Sequence, residues 1–65
     1  MIKSAIRCPN DMVLVFDEDE EQISQYQGRY QEVKGLILEN ALPGAVFGHW
    51  LDFKADIITV SREEW

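Results

Sequence analysis

Five apolar residues in a row, MVLVF at Met12–Phe16, constrain the fold more than any other feature of this sequence. The run is rich in β-branched valine, so it predicts a strand. Successive side chains of a strand point to opposite faces of its sheet. A strand that is apolar at every position therefore needs apolar partners on both faces.

This chain has 65 residues, so it has few apolar side chains with which to cover both faces of such a strand. That length predicts a single domain, residues 1–65, and a domain of this size buries only about 60% of the surface that its unfolded chain exposes. Cys8 is the only cysteine, so no internal disulfide can add stability. A lone cysteine is typical of a reducing compartment, and we expect a cytoplasmic protein that gains stability by oligomerisation.

The first half of the chain predicts strands. MIKSAIRC alternates apolar Ile2 and Ile6 with basic neighbours, and the turn formers PND connect it to MVLVF as an antiparallel hairpin. After the acidic residues, QISQYQ predicts a third, weaker strand, which Gly28 ends.

The second half predicts a helix and another hairpin. From Arg29 to Asn40 the apolar spacing becomes helical, and NALPG is a stop signal because Pro43 removes a backbone donor. The apolar stripe consists of Tyr30, Val33, Ile37 and Ala41, with Leu36 beside it. AVFGHWL and DIITV then predict two strands joined by DFKAD. The expected fold is α+β, in the order β-β-(β)-α-β-β: a small antiparallel sheet of four or five strands with one helix packed on one face.

Charge and hydropathy disfavour two classes of partner. The chain has 12 acidic and 6 basic residues, a net charge of -6, and its Lys and Arg residues stand singly rather than in a patch. Direct binding to nucleic-acid phosphates needs clustered Lys and Arg, so we expect none. No apolar window approaches the length of a membrane span, and the N-terminus lacks the apolar segment of a signal peptide.

The acidic run Asp17–Glu21 invites comparison with a calcium loop. Asp17, Asp19 and Glu21 match the first three ligand positions of an EF-hand loop. Gln22 and Gly28 occupy the places where the loop requires a glycine and a bidentate glutamate. We therefore predict no specific metal site, although weak divalent binding stays open.

The same run can also present negative charge to a basic protein, as an acidic inhibitor or a nucleic-acid mimic. A mimic needs charges at near-phosphate spacing along a surface, and the other acids of the chain are spread out. The alternative is a solvated turn that keeps a sheet edge in water. We favour the turn and keep the acidic inhibitor as the second functional hypothesis.

Cys8 and His49 are the only obvious nucleophile and base. Such a pair needs spatial contact and a third orienting group, and nothing in the sequence selects one. No second His or Cys stands at metal-ligand spacing, and the glycines form no phosphate-binding motif. We therefore expect neither an enzyme nor a cofactor.

The positive indication is a surplus of apolar faces, because the predicted strands offer apolar side chains to both sides and one helix covers one side. We predict that the second face binds a protein, most simply an identical subunit, with a centre formed by Val13, Val15, Val46 and Trp50. Alternatively, the N-terminal strand or the segment SREEW, with Trp65, folds over that face. Which face of the strand at residues 45–51 meets the helix stays open.

The layout MVLVFD…QISQYQGRYQEVK followed by AVFGHW resembles short uncharacterised reading frames of bacterial prophages. Those proteins often contain a compact ββαββ-like unit of this length. The resemblance is one of size and layout across much of the chain, without a specific motif. It implies an accessory or regulatory role and assigns a function to no residue.

Overall fold

A computed structural model describes the whole chain, Met1–Trp65. It has five strands and one α-helix: β1 Ile2–Arg7, β2 Met12–Phe16, β3 Gly28–Arg29, α1 Tyr30–Asn40, β4 Ala41–His49 and β5 Ile58–Val60. A 3-10 turn, Ser24–Tyr26, lies between β2 and β3. The predicted α+β class with one helix is confirmed. No helix in the structure is both long enough and apolar enough to span a membrane.

The five strands form one mixed sheet in the order β3-β2-β1-β4-β5. β1 and β4 are parallel, whereas the other neighbours are antiparallel. The prediction of a purely antiparallel sheet was therefore wrong. The reason is the path of α1, which returns the chain to the end of the sheet where β1 begins, so that Ala41 pairs with Ile2 and β4 runs beside β1.

The hairpin of β1 and β2 was predicted correctly, and its turn is tightly bonded. The Cys8 N–H donates to the Met12 carbonyl at 2.8 Å, and the Asp11 N–H donates to the Cys8 carbonyl at 2.9 Å. Asp11 adopts a left-handed conformation with φ 66. That conformation places its carboxylate beside Arg7, whose Nη2 lies 2.6 Å from Asp11 Oδ1.

The predicted strand QISQYQ is not a strand. Its middle forms the 3-10 turn, and only Gln22 makes a bridge, to Phe16. The side chain of Gln27 explains the difference, because its Oε1 accepts the backbone N–H of Val15 at 3.3 Å. At this point the edge of β2 is therefore bonded by a side chain, where a third strand would have supplied a backbone carbonyl. Backbone pairing with β2 resumes at Gly28–Arg29.

The alternation predicted for β1 also fails at one end. Ile2 is fully buried, whereas Ile6 is half-buried on the other side of the sheet, because the register of β1 against β4 shifts between Ile2 and Ser4. This shift places Ile2 in the core. Ala5 occupies the core position beside Val15 and Phe47.

The core lies on one face of the sheet and is covered by two pieces of chain. α1 packs over β1, β2 and β3, with Tyr30 and Ile37 as its buried residues. Leu36, expected beside the apolar stripe, is 46% exposed. Trp65 covers the part of the face over β4, with its ring centroid 5.1 Å from that of Phe47 and 5.3 Å from that of Tyr30.

Trp65 is also fixed by hydrogen bonds. Its Nε1 donates to the Gly48 carbonyl at 2.9 Å, and the Tyr30 hydroxyl donates to the Trp65 carbonyl. A turn begun by Ser61, whose Oγ accepts the Glu64 N–H at 3.3 Å, directs the indole inward. The tail therefore folds over the same face as the helix, and it leaves the opposite face of the sheet uncovered.

We predict that Trp65→Ala destabilises the domain by about 3–5 kcal/mol, because it removes a fully buried indole and leaves a cavity between Tyr30 and Phe47. Thermal unfolding followed by circular dichroism should show a loss of at least about 12 °C, at about 4 °C or more per kcal/mol. Phe53→Ala, at a side chain that is 58% exposed, is the control and should cost less than about 1 kcal/mol. Equal melting temperatures for both variants would contradict the role of Trp65.

Candidate functional site

The face of the sheet opposite α1, here called the open face, can be read from the strand pairing, since directly opposite residues share a face. One row across the sheet is Phe16, Ser4 and Val46, and the next is Leu14, Ile6, Gly48 and Thr59. The intervening rows, which contain Val15 with Phe47 and Val13 with His49, face the helix. The open face is thus mostly apolar.

Solvent reaches much of the open face. Val46 is 49% exposed and Met12 39% exposed, while Ile6, Leu14 and Phe16 are half-buried. Ile57 extends the apolar surface and packs closely against Gly48, where a Cβ would lie only 2.9 Å from Ile57 Cγ2.

Charge enters the open face only at its margins. Among the paired residues of this face, Arg29 is the only charged one, opposite Met12 at the β3 edge of the sheet. The acidic run follows Phe16 directly, at the other end of β2. The centre of the face is therefore apolar and its two ends carry opposite charge.

The structure separates the four residues predicted as the interaction centre. Val13 and Val15 are 1% and 0% exposed and belong to the core, so their assignment to the uncovered face was wrong. Val46 does lie on the open face, and Trp50 lies beyond the end of β4. The alternation of each strand was recognised, but Val13 and Val15 share a face with Phe47 and not with Val46. The residues that belong with Val46 are Ile6, Leu14 and Phe16.

Trp50 helps to form a shallow pocket of about 250 Å³ at the carboxyl ends of the parallel strands β1 and β4. Its backbone N–H donates to the Arg7 carbonyl at 2.7 Å, and its Nε1 donates to the Ala55 carbonyl at 2.9 Å. The lining residues are Arg7, Cys8, Pro9, Asp11, His49, Trp50 and Leu51.

The two oppositely charged side chains of this pocket, Arg7 and Asp11, pair with each other. Arg7 Nε and Nη2 lie 2.7 and 2.6 Å from Asp11 Oδ1, and the guanidinium carbon lies 3.9 Å above the centroid of the Tyr30 ring. Asp11 therefore neutralises the cation that an anionic ligand would need. The pocket is better explained as the packing of a hairpin turn than as a binding site.

Cys8 and His49 line the same pocket, but no hydrogen bond joins them. Burial raises the pKa of the Cys8 thiol, which disfavours the thiolate. The thiol contacts the Ile6 carbonyl at 3.9 Å. A nucleophilic cysteine needs the thiolate and a base to form it, and this arrangement provides neither.

The acidic run forms a closed turn around Asp17. Asp17 Oδ1 accepts the N–H groups of Asp19 and Glu21 at 2.8 and 3.0 Å, and the Asp17 N–H donates to the Glu21 carbonyl at 2.9 Å. Glu20 adopts a left-handed conformation with φ 63. No group of three or more His, Cys, Asp or Glu side chains is placed to hold a metal ion. The run turns the chain at the end of β2, as one of the two interpretations of the sequence predicted.

We predict that Glu20→Gly stabilises the domain by about 0.5–1 kcal/mol, because glycine adopts the left-handed conformation without the steric cost of a Cβ. Chemical denaturation measures the change. Glu20→Gln is the matched control, since it removes the charge and keeps the strain. If both variants raise the free energy of unfolding equally, the cause is relief of charge repulsion and not relief of backbone strain at residue 20.

Glu18 forms an ion pair with the N-terminal amino group. A hydrogen bond from the amino group of Met1, 3.1 Å from Glu18 Oε1, is the main reason that the pKa of this glutamate is lowered. A lowered pKa adds stability above the ordinary glutamate value, and that stability disappears as the pH falls through the lowered value.

We predict that acetylation of the Met1 amino group raises the pKa of Glu18 toward the value of an ordinary glutamate. NMR titration of the Glu18 side chain before and after acetylation measures the shift. An unchanged Glu18 titration would show that the amino group is not the cause.

Comparison with protein-family models, curated proteins and solved structures finds no match to this chain. No relative therefore assigns a role to any of its residues. The candidate site with the strongest physical argument is the open face, because its apolar residues are neighbours on a sheet face that neither α1 nor Trp65 covers.

Proposed function

We propose that this chain is a non-enzymatic protein-binding domain that forms a homodimer through the open face. The supporting observation is that Ile6, Leu14, Phe16 and Val46 are neighbours on a sheet face that neither α1 nor Trp65 covers. Burial of such a face is the main favourable contribution to most protein associations. The face has no concave site for a small ligand, so a flat apolar partner fits it best.

A second copy is the partner that the charges favour. If two open faces pack with their strands antiparallel, the acidic run Asp17–Glu21 of each copy comes to the end of the other copy where Arg29 lies. If the strands pack parallel, both acidic runs lie at the same end of the pair. Opposite charges at the rim orient partners and discourage other pairings, so the antiparallel arrangement is preferred.

The size of the face is compatible with such a dimer. A standard interface buries about 800 Å² on each partner, which is about a fifth of the 4369 Å² surface of this chain. It would occupy most of one side of a molecule that measures 29 × 23 × 21 Å. Dimerisation also supplies the stability that a domain of this size lacks.

The proposal also includes the absence of catalysis, a cytoplasmic location and an accessory role. No catalysis is assigned, because the pocket with Cys8 and His49 has no activated nucleophile. Cys8 is a free and buried thiol, which suits a reducing compartment, so we place the protein in the cytoplasm. An accessory or regulatory role, as the resemblance to prophage reading frames implies, would be performed through the dimer.

We predict that Val46→Asp weakens self-association through this face at least about tenfold, because a carboxylate without a partner is costly to bury in an apolar interface. Sedimentation velocity over a range of concentrations measures the dissociation constant. Leu36→Asp is the matched control: Leu36 is 46% and Val46 49% exposed, and both changes add one negative charge, but Leu36 lies on the helix. A native chain that stays monomeric at millimolar concentration would contradict the dimer.

The dependence on salt separates this proposal from the acidic inhibitor. Apolar association changes little with ionic strength, whereas pairing of the acidic run with a basic protein weakens as charges are screened within about 8 Å at physiological salt. A complex that is lost at high salt and is unaffected by Val46→Asp would favour the acidic inhibitor instead.

A further inference from the structure

The apolar open face contains one polar side chain on its middle strand, Ser4. This residue belongs to β1, the third of the five strands in the sheet, and lies between Phe16 and Val46 in one row. In the neighbouring row the only polar side chain is Thr59, on the outermost strand β5. A partner that covers the open face therefore meets a single hydroxyl within an apolar surface.

The Ser4 hydroxyl has no partner within the chain. None of the side-chain hydrogen bonds involves Ser4, which is half-buried. No buried polar side-chain atom lacks a partner, so this hydroxyl is exposed to solvent in the single chain. A covering partner removes that solvent, and a hydroxyl left without a hydrogen bond in an apolar interface weakens binding. The partner therefore has to place a hydrogen-bonding group opposite Ser4.

A second copy supplies that group from its own Ser4. We propose that Ser4 is the recognition residue of the open face and that it faces Ser4 of the second copy on the two-fold axis of the dimer. A hydroxyl donates one hydrogen bond and accepts two, so two identical hydroxyls are complementary. Packed sheets lie about 10 Å apart, which leaves room for one water between the two hydroxyls. Ser4 has this role only in the open-face homodimer proposed above, on which the inference rests.

The position of the axis follows from the strand geometry. When two sheets pack face to face with their strands antiparallel, the two-fold axis lies between the sheets and crosses the strands. Each residue beneath the axis faces its own counterpart, and each row on one side of the axis faces a row on the other side. Ser4 faces Ser4 only when the axis runs over the row that also contains Phe16 and Val46.

Other positions of the axis are less favourable for Ser4 and Arg29. Successive rows on one face are two residues apart along a strand, which is about 7 Å. An axis over the row of Leu14 would separate the two Ser4 side chains by about 14 Å along the strands, because each lies one row from that axis. An axis over the row of Met12 would bring Arg29 opposite Arg29 of the second copy. The axis over Ser4 avoids both arrangements.

Charge exchange at Ser4 tests this contact in the full chain. Ser4→Asp and Ser4→Lys should each raise the dissociation constant at least about tenfold, since like charges face each other across the axis. An equal mixture should form a heterodimer at least about tenfold tighter than either variant alone, because opposite charges then meet. Sedimentation velocity measures the dissociation constants, and native mass spectrometry distinguishes the heterodimer from the two homodimers.

Two further pairs of variants locate the axis. Val46→Asp mixed with Val46→Lys should show the same gain in affinity, because Val46 lies in the row of Ser4 and is 49% exposed. This pair keeps the axis testable if a charge at Ser4, on the central strand, prevents folding. Leu14→Asp mixed with Leu14→Lys is the matched control. Its charges lie at least about 14 Å apart across the axis, beyond the Debye length of about 8 Å, so the gain should stay under about threefold. Circular dichroism melts establish that each variant is folded.

Failure of the Ser4 contact and failure of the homodimer give different results. If Val46→Asp weakens the native dimer but neither the Ser4 pair nor the Val46 pair gains affinity on mixing, the homodimer stands and the role of Ser4 is overturned. A gain for the Leu14 pair alone also overturns it, because the axis then lies over the neighbouring row. If the native chain is monomeric, or Val46→Asp leaves its dimer unchanged, the open-face homodimer itself fails and the Ser4 contact fails with it.

Discussion

The contact of Trp65 with Tyr30 and Phe47 completes the core of this domain. α1 is too short to cover all five strands and lies over β1, β2 and β3. The indole of Trp65 fills the remaining space over β4 and links the end of the chain to the helix through the Tyr30 hydroxyl and to the sheet through the Gly48 carbonyl. Both α1 and Trp65 lie on this one face, and the opposite face of the sheet is uncovered.

The parallel pairing of β1 with β4 determines what surrounds that uncovered face. Because α1 returns the chain to the start of β1, β1 becomes the central strand and the hairpin of β4 and β5 extends the sheet on one side. Val46 is thereby placed in one row with Ser4 and Phe16. The same arrangement makes β5 the last strand of the sheet.

Local patterns predicted most of the elements but not their neighbours. The strand at Met12–Phe16, its hairpin with β1 and the helix ending at Asn40 were all expected from residue type and spacing. The strand expected at QISQYQ did not form, because Gln27 bonds to the backbone of β2 through its side chain. Strand propensity does not include such a contact, which joins residues far apart in the chain.

The sequence by itself determined that apolar side chains occupy both sides of MVLVF, that no disulfide can form and that one helix is too little to cover two faces. It did not determine which set of alternating residues faces the helix, since a period of two is the same for either choice. Only the tertiary structure placed Val13 and Val15 in the core and Leu14, Phe16 and Val46 outside it. The deciding interactions are the crossover through α1 and the packing of Trp65, which depend on residues distant in sequence meeting in space.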